Sequence, residues 1–344
     1  MFEYLLVENL GLFSRLEWQA HQKINILIGK NSTGKTYLLK LLYSIAKSIE
    51  EYHKSSEVDS TTWKSFLSEK LFSVYQPTKR SLGEIIRKGS DRLTVRTRIE
   101  GDEYSFSLEK DLQETILQCT ESVNINLDLN ALYIPTKEVL TSFDAIAAVN
   151  EHLKIFGFDQ TYQDIIRALR IPASNKKLAQ PFEDILDALQ NILQGEFSVE
   201  NQRFIFQQGR EKYEISQIPE GIKRIGILAL LIRNETLQKN TILFIDEPET
   251  NLHPCAIIPF CDLLFRLSQT GVQIYLATHS YFVLKEFEIL ARKHQESIQL
   301  CCLEKSDGDI NIKFNDLKEG MPDNPIIDAS IKLYEEDVRL DLQA

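Results

Sequence analysis

Gly29-Lys30-Asn31-Ser32-Thr33-Gly34-Lys35-Thr36 is the stretch whose reading decides the fold. The residues before it, Lys23 to Ile28, alternate as a strand does, and those after it, Tyr37 to Ile45, carry apolar helical spacing. Strand, GxxxxGK[ST] and helix in that order form a phosphate-binding loop. The two glycines let the backbone curl until its N–H groups point inward, and the helix N-terminus adds its own donors to that anion nest. Lys35 is expected to reach the β- and γ-phosphates of ATP, and Thr36 to offer its hydroxyl to Mg²⁺. Gly29, Lys30, Asn31, Ser32, Thr33, Gly34, Lys35, Thr36 and Tyr37 make up the expected ATP-binding set. A plain glycine-containing surface loop is the alternative, and the flanking strand and helix argue against it.

A second signal lies far downstream. Ile242-Leu243-Phe244-Ile245 is an apolar strand that ends in Asp246-Glu247. A strand ending in Asp places the carboxylate at the carboxyl edge of a sheet, where ligands bind in open α/β folds. Asp246 is expected to hold Mg²⁺ through water. Glu247, one residue on, is placed to polarise a water beside the γ-phosphate. Alone, the pair reads equally well as an acidic strand end capping the next helix; the loop at 29–36 tips the balance.

The totals bound the remaining choices. At 344 residues, 43% hydrophobic and 26% charged, the chain has the composition of a soluble globular protein of one large or two ordinary domains. Lys and Arg number 39 against 50 Asp and Glu, a net charge of −11, so the chain as a whole is no basic nucleic-acid binder, although a local basic face stays open. Cys119, Cys255, Cys261, Cys301 and Cys302 form no CxxC pair, which favours reduced thiols in the cytoplasm over a disulfide or zinc framework. No basic n-region follows Met1, and no apolar run nears the roughly 20 residues of a membrane span. The longest, Ile225 to Ile232, reads as a buried helix.

Two short strands, Phe2–Val7 and Leu12–Trp18, turn at Gly11. A helix is expected over Lys35–Glu50, a polar loop or frayed helix over Glu51–Ser60, and a helical segment over Trp63–Val74. Arg92–Ile99 and Glu103–Leu108 alternate about Glu100-Gly101-Asp102, a hairpin signal. A helix over 109–118 and strands at 124–127 and Ala131–Ile134 follow. From about Leu140 to Leu193 the periodicity is helical throughout. A hairpin, Phe204–Phe206 with Tyr213–Ile215, leads into a helix from Glu220. Helices over Pro254–Leu267, Tyr281–Arg292 and Ile327–Val338, a strand Gln273–Ala277 and a hairpin within Ile298–Phe314 complete the expectation. The fold class is α/β: a P-loop NTPase head with a mixed sheet, a small antiparallel β part and an inserted helical lobe. The expected division is 1–138 with 239–344 as a nucleotide-binding lobe, interrupted by an insertion at about 51–130, and 139–238 as a helical lobe.

Asp246-Glu247-Pro248-Glu249-Thr250-Asn251-Leu252-His253-Pro254 resembles the Walker B and D-loop run of ABC-type ATPases. Ala277-Thr278-His279-Ser280 ends another apolar strand and resembles the switch histidine of those families, which gives His279 a catalytic role beside Glu247 and Lys35. Ala131 to Pro135 resembles the strand entering their Q-loop, with Thr136-Lys137-Glu138 where a Gln is expected; Thr136 or Glu138 then serves the metal or the water. Gln217-Ile218-Pro219-Glu220-Gly221-Ile222-Lys223-Arg224 matches the signature element, with Pro219 in place of a Ser. The resemblance gives Glu220, Gly221, Lys223 and Arg224 a trans role over the ATP of a second copy. Taken in order, these motifs resemble the RecF/SMC/OLD-like branch of ABC ATPases over nearly the whole chain except about 50–125 and 140–200.

That resemblance implies a head-to-tail dimer or higher oligomer glued by ATP and Mg²⁺ and released by slow hydrolysis. It implies a separately encoded effector in DNA repair or antiviral defence, and no membrane. An ATPase subunit of a membrane transporter, and a module holding ATP as a structural ligand, are the competing readings. Glu304 and Asp307-Gly308-Asp309 read as a hairpin turn rather than a nuclease site. His253 reads as a dimer contact, and His21, His53, His152 and His294 have no ligand spacing. The basic residues of 76–98 (Lys79, Arg80, Arg87, Lys88, Arg92, Arg96 and Arg98) read as a solvated face, with a nucleic-acid or protein surface as the alternative.

Overall fold

The computed structural model describes residues 1–55, 62–79, 81–110, 118–121, 128–143, 146, 158–173, 177–200, 203–306 and 308–342. The chain begins with a hairpin of β1 (Phe2–Leu10) and β2 (Phe13–Gln19), closed by Gly11 at φ +51°. β3 (Ile24–Gly29) runs into the phosphate-binding loop and α1 (Lys35–Lys54) follows, then α2 (Trp63–Tyr75). β4 (Arg92–Ile99), β5 (Asp102–Glu109) and β6 (Gln118–Glu121) extend the first hairpin into a five-stranded antiparallel sheet of order β2-β1-β4-β5-β6.

The central sheet collects strands from the whole chain. β7 (Asn130–Ile134), β11 (Thr241–Asp246), β12 (Gln273–Ala277), β13 (Gln299–Ser306) and β14 (Asp309–Asp316) join β3 in the order β14-β13-β3-β12-β11-β7. All pairs are parallel except β13 with β14, so the sheet is mixed. Every residue of β3, β11 and β12 is buried, as parallel strands covered on both faces require.

Side chains alternate between two cores. Leu27, Tyr133, Phe244 and Tyr275 face α1, α2 and the five-stranded sheet. Tyr43, Tyr133, Phe244, Tyr275 and Trp18 form a row of neighbouring rings there, with centroids 5.3–6.4 Å apart. Ile26, Ile134, Leu243 and Leu276 face the other way. That side is covered by α3 (Gln160–Arg170), α4 (Gln180–Leu193), α5 (Glu220–Arg233), α6 (Pro254–Gln269) and α7 (Tyr281–His294). A final helix, α8 (Pro325–Asp341), leaves the body.

The structure departs from the sequence expectations in three places. β8 (Glu196–Glu200) adds a strand to β9 (Arg203–Gln208) and β10 (Glu211–Glu214), giving a three-stranded sheet of order β10-β9-β8. Its signal is thin because only Phe197 is buried along it. α1 runs four residues past its expected end at Glu50, so Glu51 to Lys54 take the helical of the two readings given to that stretch. The helix expected over 109–118 falls mostly on residues outside those described, but Gln118 itself starts β6. The strand at 124–127, Arg80, His152 and Asp307 also lie outside the described residues. No helix of the described residues is long and apolar enough to cross a membrane.

Candidate nucleotide site

β3, β12, β11 and β7 run parallel, so the residues that follow them meet at one sheet edge. After β3 comes the glycine-framed loop. Gly29 has φ +156°, and a Cβ there would sit 2.6 Å from the Leu303 carbonyl oxygen and 2.7 Å from Thr33 Oγ1. Gly34 caps α1 at φ +90°, where a Cβ would meet the Phe13 ring at 2.9 Å. Thr33 is buried and donates to the Lys30 carbonyl at 2.9 Å, holding the curl from inside. Lys30, Asn31, Ser32 and Thr36 are exposed around it. Lys35 Nζ donates to the Gly29 carbonyl at 2.8 Å and to that of Lys30 at 3.3 Å. Burial pulls the Lys35 pKa down, against Glu247, Asp246 and Glu249, which favour its charge.

Asp246 ends β11 and is 5% exposed. Its Oδ2 accepts from Thr36 Oγ1 at 3.0 Å and from Thr136 Oγ1 at 3.0 Å. Burial raises its pKa, and the two threonine hydrogen bonds oppose the rise. The open choice at the Q-loop position is thereby narrowed: Thr136 stands at Asp246, whereas the Glu138 carboxylate accepts from the backbone N–H groups of Leu140 and Thr141. Lys137 lies over the Phe158 ring at 5.9 Å. Two hydroxyls and a carboxylate are the hard oxygen donors that Mg²⁺ prefers, and Thr36, Asp246 and Thr136 would hold it. The described residues contain no group of three His, Cys, Asp or Glu able to hold a metal.

Glu247 follows with φ +51°, its N–H bonded to the Ala277 carbonyl at 2.9 Å, which ties it to the end of β12. From that strand end comes His279, whose Nδ1 lies 3.3 Å from Glu247 Oε1 and 3.6 Å from Glu249 Oε1. Glu249 carried no role in the sequence reading. Its Oε1 accepts from Thr278 Oγ1 at 2.8 Å and from the His279 N–H at 3.1 Å, so it sets the backbone that presents His279. Its sequence signal is its place in the run Asp246 to Pro254, two residues after Glu247.

The signature-like helix start makes contacts within its own chain. Arg224 is 5% exposed and donates to four carbonyl oxygens: Pro135 at 3.1 Å, Thr136 at 2.9 Å, Asp246 at 2.6 Å and Glu247 at 2.7 Å. Lys223 is 4% exposed and donates to Thr141 Oγ1 at 2.5 Å. The positive charge expected over a second copy's nucleotide is therefore spent inside, because the helical spacing turns 223 and 224 toward the sheet. Gly221 allows close approach: a Cβ there would lie 2.5 Å from the Asn251 carbonyl oxygen. Glu220 is exposed and accepts from Asn251 Nδ2 at 2.5 Å.

Beside the loop lies a cavity of about 560 Å³ whose walls include Phe13, Ser32, Tyr37, Ile86, Arg87 and Gly308. Arg87 closes it by donating to Asp309 Oδ1 at 2.7 Å and to the Leu12 carbonyl at 2.6 Å. Of these wall residues only Ser32 and Tyr37 belong to the ATP-binding set expected from sequence; β1–β2, the 82–88 segment and the β13–β14 turn meet only in the fold. Asp309, weighed above as a nuclease carboxylate, is held by Ser14 and Arg87, and its pKa falls to about 2 as their hydrogen bonds and charge outweigh its partial burial. Glu304 pairs with Lys313 at 2.7 Å. On β4, Arg98 pairs with Glu103 across the hairpin, as a solvated face does.

Comparison with known proteins gives the family and the fold. A family model described as "AAA domain, putative AbiEii toxin, Type IV TA system" matches residues 24–285. The Old nuclease of Escherichia phage P2 is 34% identical over 96 residues, which are 26% of this chain and only 16% of that relative. Among solved structures, an SMC head bound to the C-winged helix domain of ScpA superposes with a TM-score of 0.55 at 12% identity, covering 93% of this chain and 99% of that one. An SMC head domain from Thermotoga maritima gives 0.50 at 14%, covering 91% and 98%. An Smc head with an extended coiled coil, bound to the C-terminal domain of ScpA from Pyrococcus furiosus, gives 0.52 at 11%, covering 97% and 98%. At these identities the superpositions speak for the fold.

Proposed function

The chain belongs to this AAA domain family, within the ABC-type ATPases of the RecF/SMC/OLD group, and from that premise we propose that it binds and slowly hydrolyses Mg²⁺-ATP as a conformational switch. The observation that carries the reading is the convergence of Thr36 and Thr136 on Asp246, with Glu247 and His279 3.3 Å apart at the same sheet edge. ATP phosphates enter the loop at 29–36, and Lys35 exchanges its backbone carbonyls for them. Mg²⁺, when bound, neutralises charge on the β- and γ-phosphates. Glu247 accepts a proton from the attacking water, and His279 orients that carboxylate and meets the γ-phosphate. The base and ribose occupy the cavity walled by Phe13, Tyr37 and Arg87.

Two copies close head to tail over ATP in this reading, with Glu220, Gly221 and Asn251 at the facing edge. Arg224 acts behind that edge, holding both strand ends. The switch regulates a separately encoded effector in DNA repair or anti-phage defence. DNA cleavage by the purified chain alone would remove the need for that effector.

The test is phosphate release by the purified chain beside its Glu247→Gln and Lys35→Ala variants, with bound nucleotide measured after gel filtration. The expected result is slow release by the wild type, retained ATP in Glu247→Gln, and neither in Lys35→Ala. Glu247→Gln that hydrolyses ATP at the wild-type rate would refute the assignment of the base.

A further inference from the structure

α8 has no buried residue, and from Ile331 to Asp341 every side chain is exposed. Ile327, Ile331, Tyr334 and Val338 recur at helical spacing and form one apolar stripe. Ile331 is 49% and Tyr334 70% exposed. An exposed apolar stripe on a helix that leaves the body marks a contact surface. The same spacing puts Asp328 and Glu335 along one flank of the stripe and Asp337 and Asp341 along the other. The helix carries five acids against the two bases Lys332 and Arg339.

The surface at the root of α8 has the opposite character. A groove of about 380 Å³ between the last turns of α7 and the short turn Leu317–Glu319 is lined by Ile289, Arg292, Lys293, Gln295 and Lys318. Ile289 is 47% exposed. Arg292 leans on Glu288 at 3.4 Å, whereas among the described residues Lys293 and Lys318 are in no ion pair. A basic groove with one apolar side chain, Ile289, thus sits beside an apolar stripe with acidic flanks, and no residue of α8 lines the groove.

We propose that α8 docks in this groove on a second copy of the chain, reciprocally about a twofold axis and without nucleotide. Ile331 and Tyr334 cover Ile289 of the other copy, and Glu335 and Asp341 meet its Lys293 and Lys318. This is a helix-in-groove contact of the isologous kind, formed whether or not the heads engage over ATP.

The full chain is weighed by light scattering and sedimentation equilibrium without nucleotide at physiological salt. Wild type is expected to reach twice the single-chain mass. Ile331→Asp with Tyr334→Asp should weaken that association about 100-fold. Lys293→Glu with Lys318→Glu should weaken it about tenfold. Adding Glu335→Lys and Asp341→Lys to the second pair should bring it back to within about threefold of wild type, which loss of folding cannot mimic. A wild type that stays at single-chain mass at tens of micromolar overturns the proposal, and so does a charge reversal without effect or a swap that fails to restore. No nucleotide is present, so these outcomes stand apart from those of the ATPase tests.

Discussion

Arg224 shows how one side chain joins elements distant in sequence. Its guanidinium holds the carbonyl ends of β7 and β11, the strands that present Thr136 and Asp246. A planar fork with five donors suits this task, and a single ammonium does not. Burial lowers its pKa, and Glu249, Asp246 and Glu247 keep it a cation. Arg224→Met should cost on the order of 3 kcal/mol of stability, since it leaves buried carbonyls unpaired. It should lower phosphate release at least tenfold while ATP affinity stays within a few-fold, because Lys35 and the loop backbone are untouched. Arg224→Lys should recover the fold and little of the rate. Equal losses in rate and affinity would sink the positioning role; calorimetry and steady-state kinetics on the two variants decide it. The sequence displayed Arg224 plainly within Glu-Gly-x-x-Arg, yet which side of the helix it takes depends on the strands it meets, and those lie about 90 and 20 residues away. Lys35, Thr36, Asp246 and Glu247 were legible because a local pattern places each one. Thr136 was legible only as one of two choices with Glu138, and Glu249 had no role, since each acts through a partner distant in sequence.

At the scale of elements, α1, α2 and α3 are locked by a buried ionic network. Lys70 of α2 donates to Glu51 of α1 at 2.7 Å and to Asp164 of α3 at 3.1 Å, and Asp164 also accepts from Tyr43 OH at 2.7 Å. Lys70 and Asp164 side chains are each 6% exposed. Burial pulls the Lys70 pKa down, but Asp164 and Glu51 outweigh it and the net shift is upward. Burial pushes Asp164 up, but Lys70 and Tyr43 outweigh it and the net shift is downward. The Asp164 contribution is therefore complete above the ordinary value of 3.8 and is lost as pH falls through its lower folded value. The Lys70 contribution is complete below 10.5 and is lost as pH rises through its higher folded value. Between about pH 5 and 9 this pair adds no slope to stability. Lys70→Met should cost about 3–5 kcal/mol, whereas Lys70→Met with Asp164→Leu should cost less than the sum of the two single changes. Denaturant unfolding of the four proteins measures this, and additive losses would show that the network is not coupled. The helices themselves were readable from periodicity; the network was not, because Lys70 on a helix reads as an exposed lysine until α3 is laid over it.

For the whole molecule, the six-stranded sheet is the shared wall of two cores. Ile26 and Leu27 are neighbours in β3, yet one packs with Leu243 and Leu276 and the other with Phe244 and Tyr275. The strand order β14-β13-β3-β12-β11-β7 could not be read from sequence, since pairing β3 with β12 spans most of the chain. Among the described residues, the buried apolar side chains between Leu140 and Ile232 share one core with the sheet strands. We propose that 139–238 is a lobe of function and not an independent folding unit. A lobe with its own stability would melt apart from the rest, whereas a shared core couples both faces through the sheet. Calorimetry should then show one transition. In the proposed mode ATP binds only the assembled sheet edge, so linkage at 100 times Kd adds about 2.7 kcal/mol, which moves a chain of this size by roughly 4 °C. The whole transition should move by that amount with Mg²⁺-ATP, and Lys35→Ala should not move at all. Two transitions, with only one of them responding to ATP, would instead make 139–238 a separate domain.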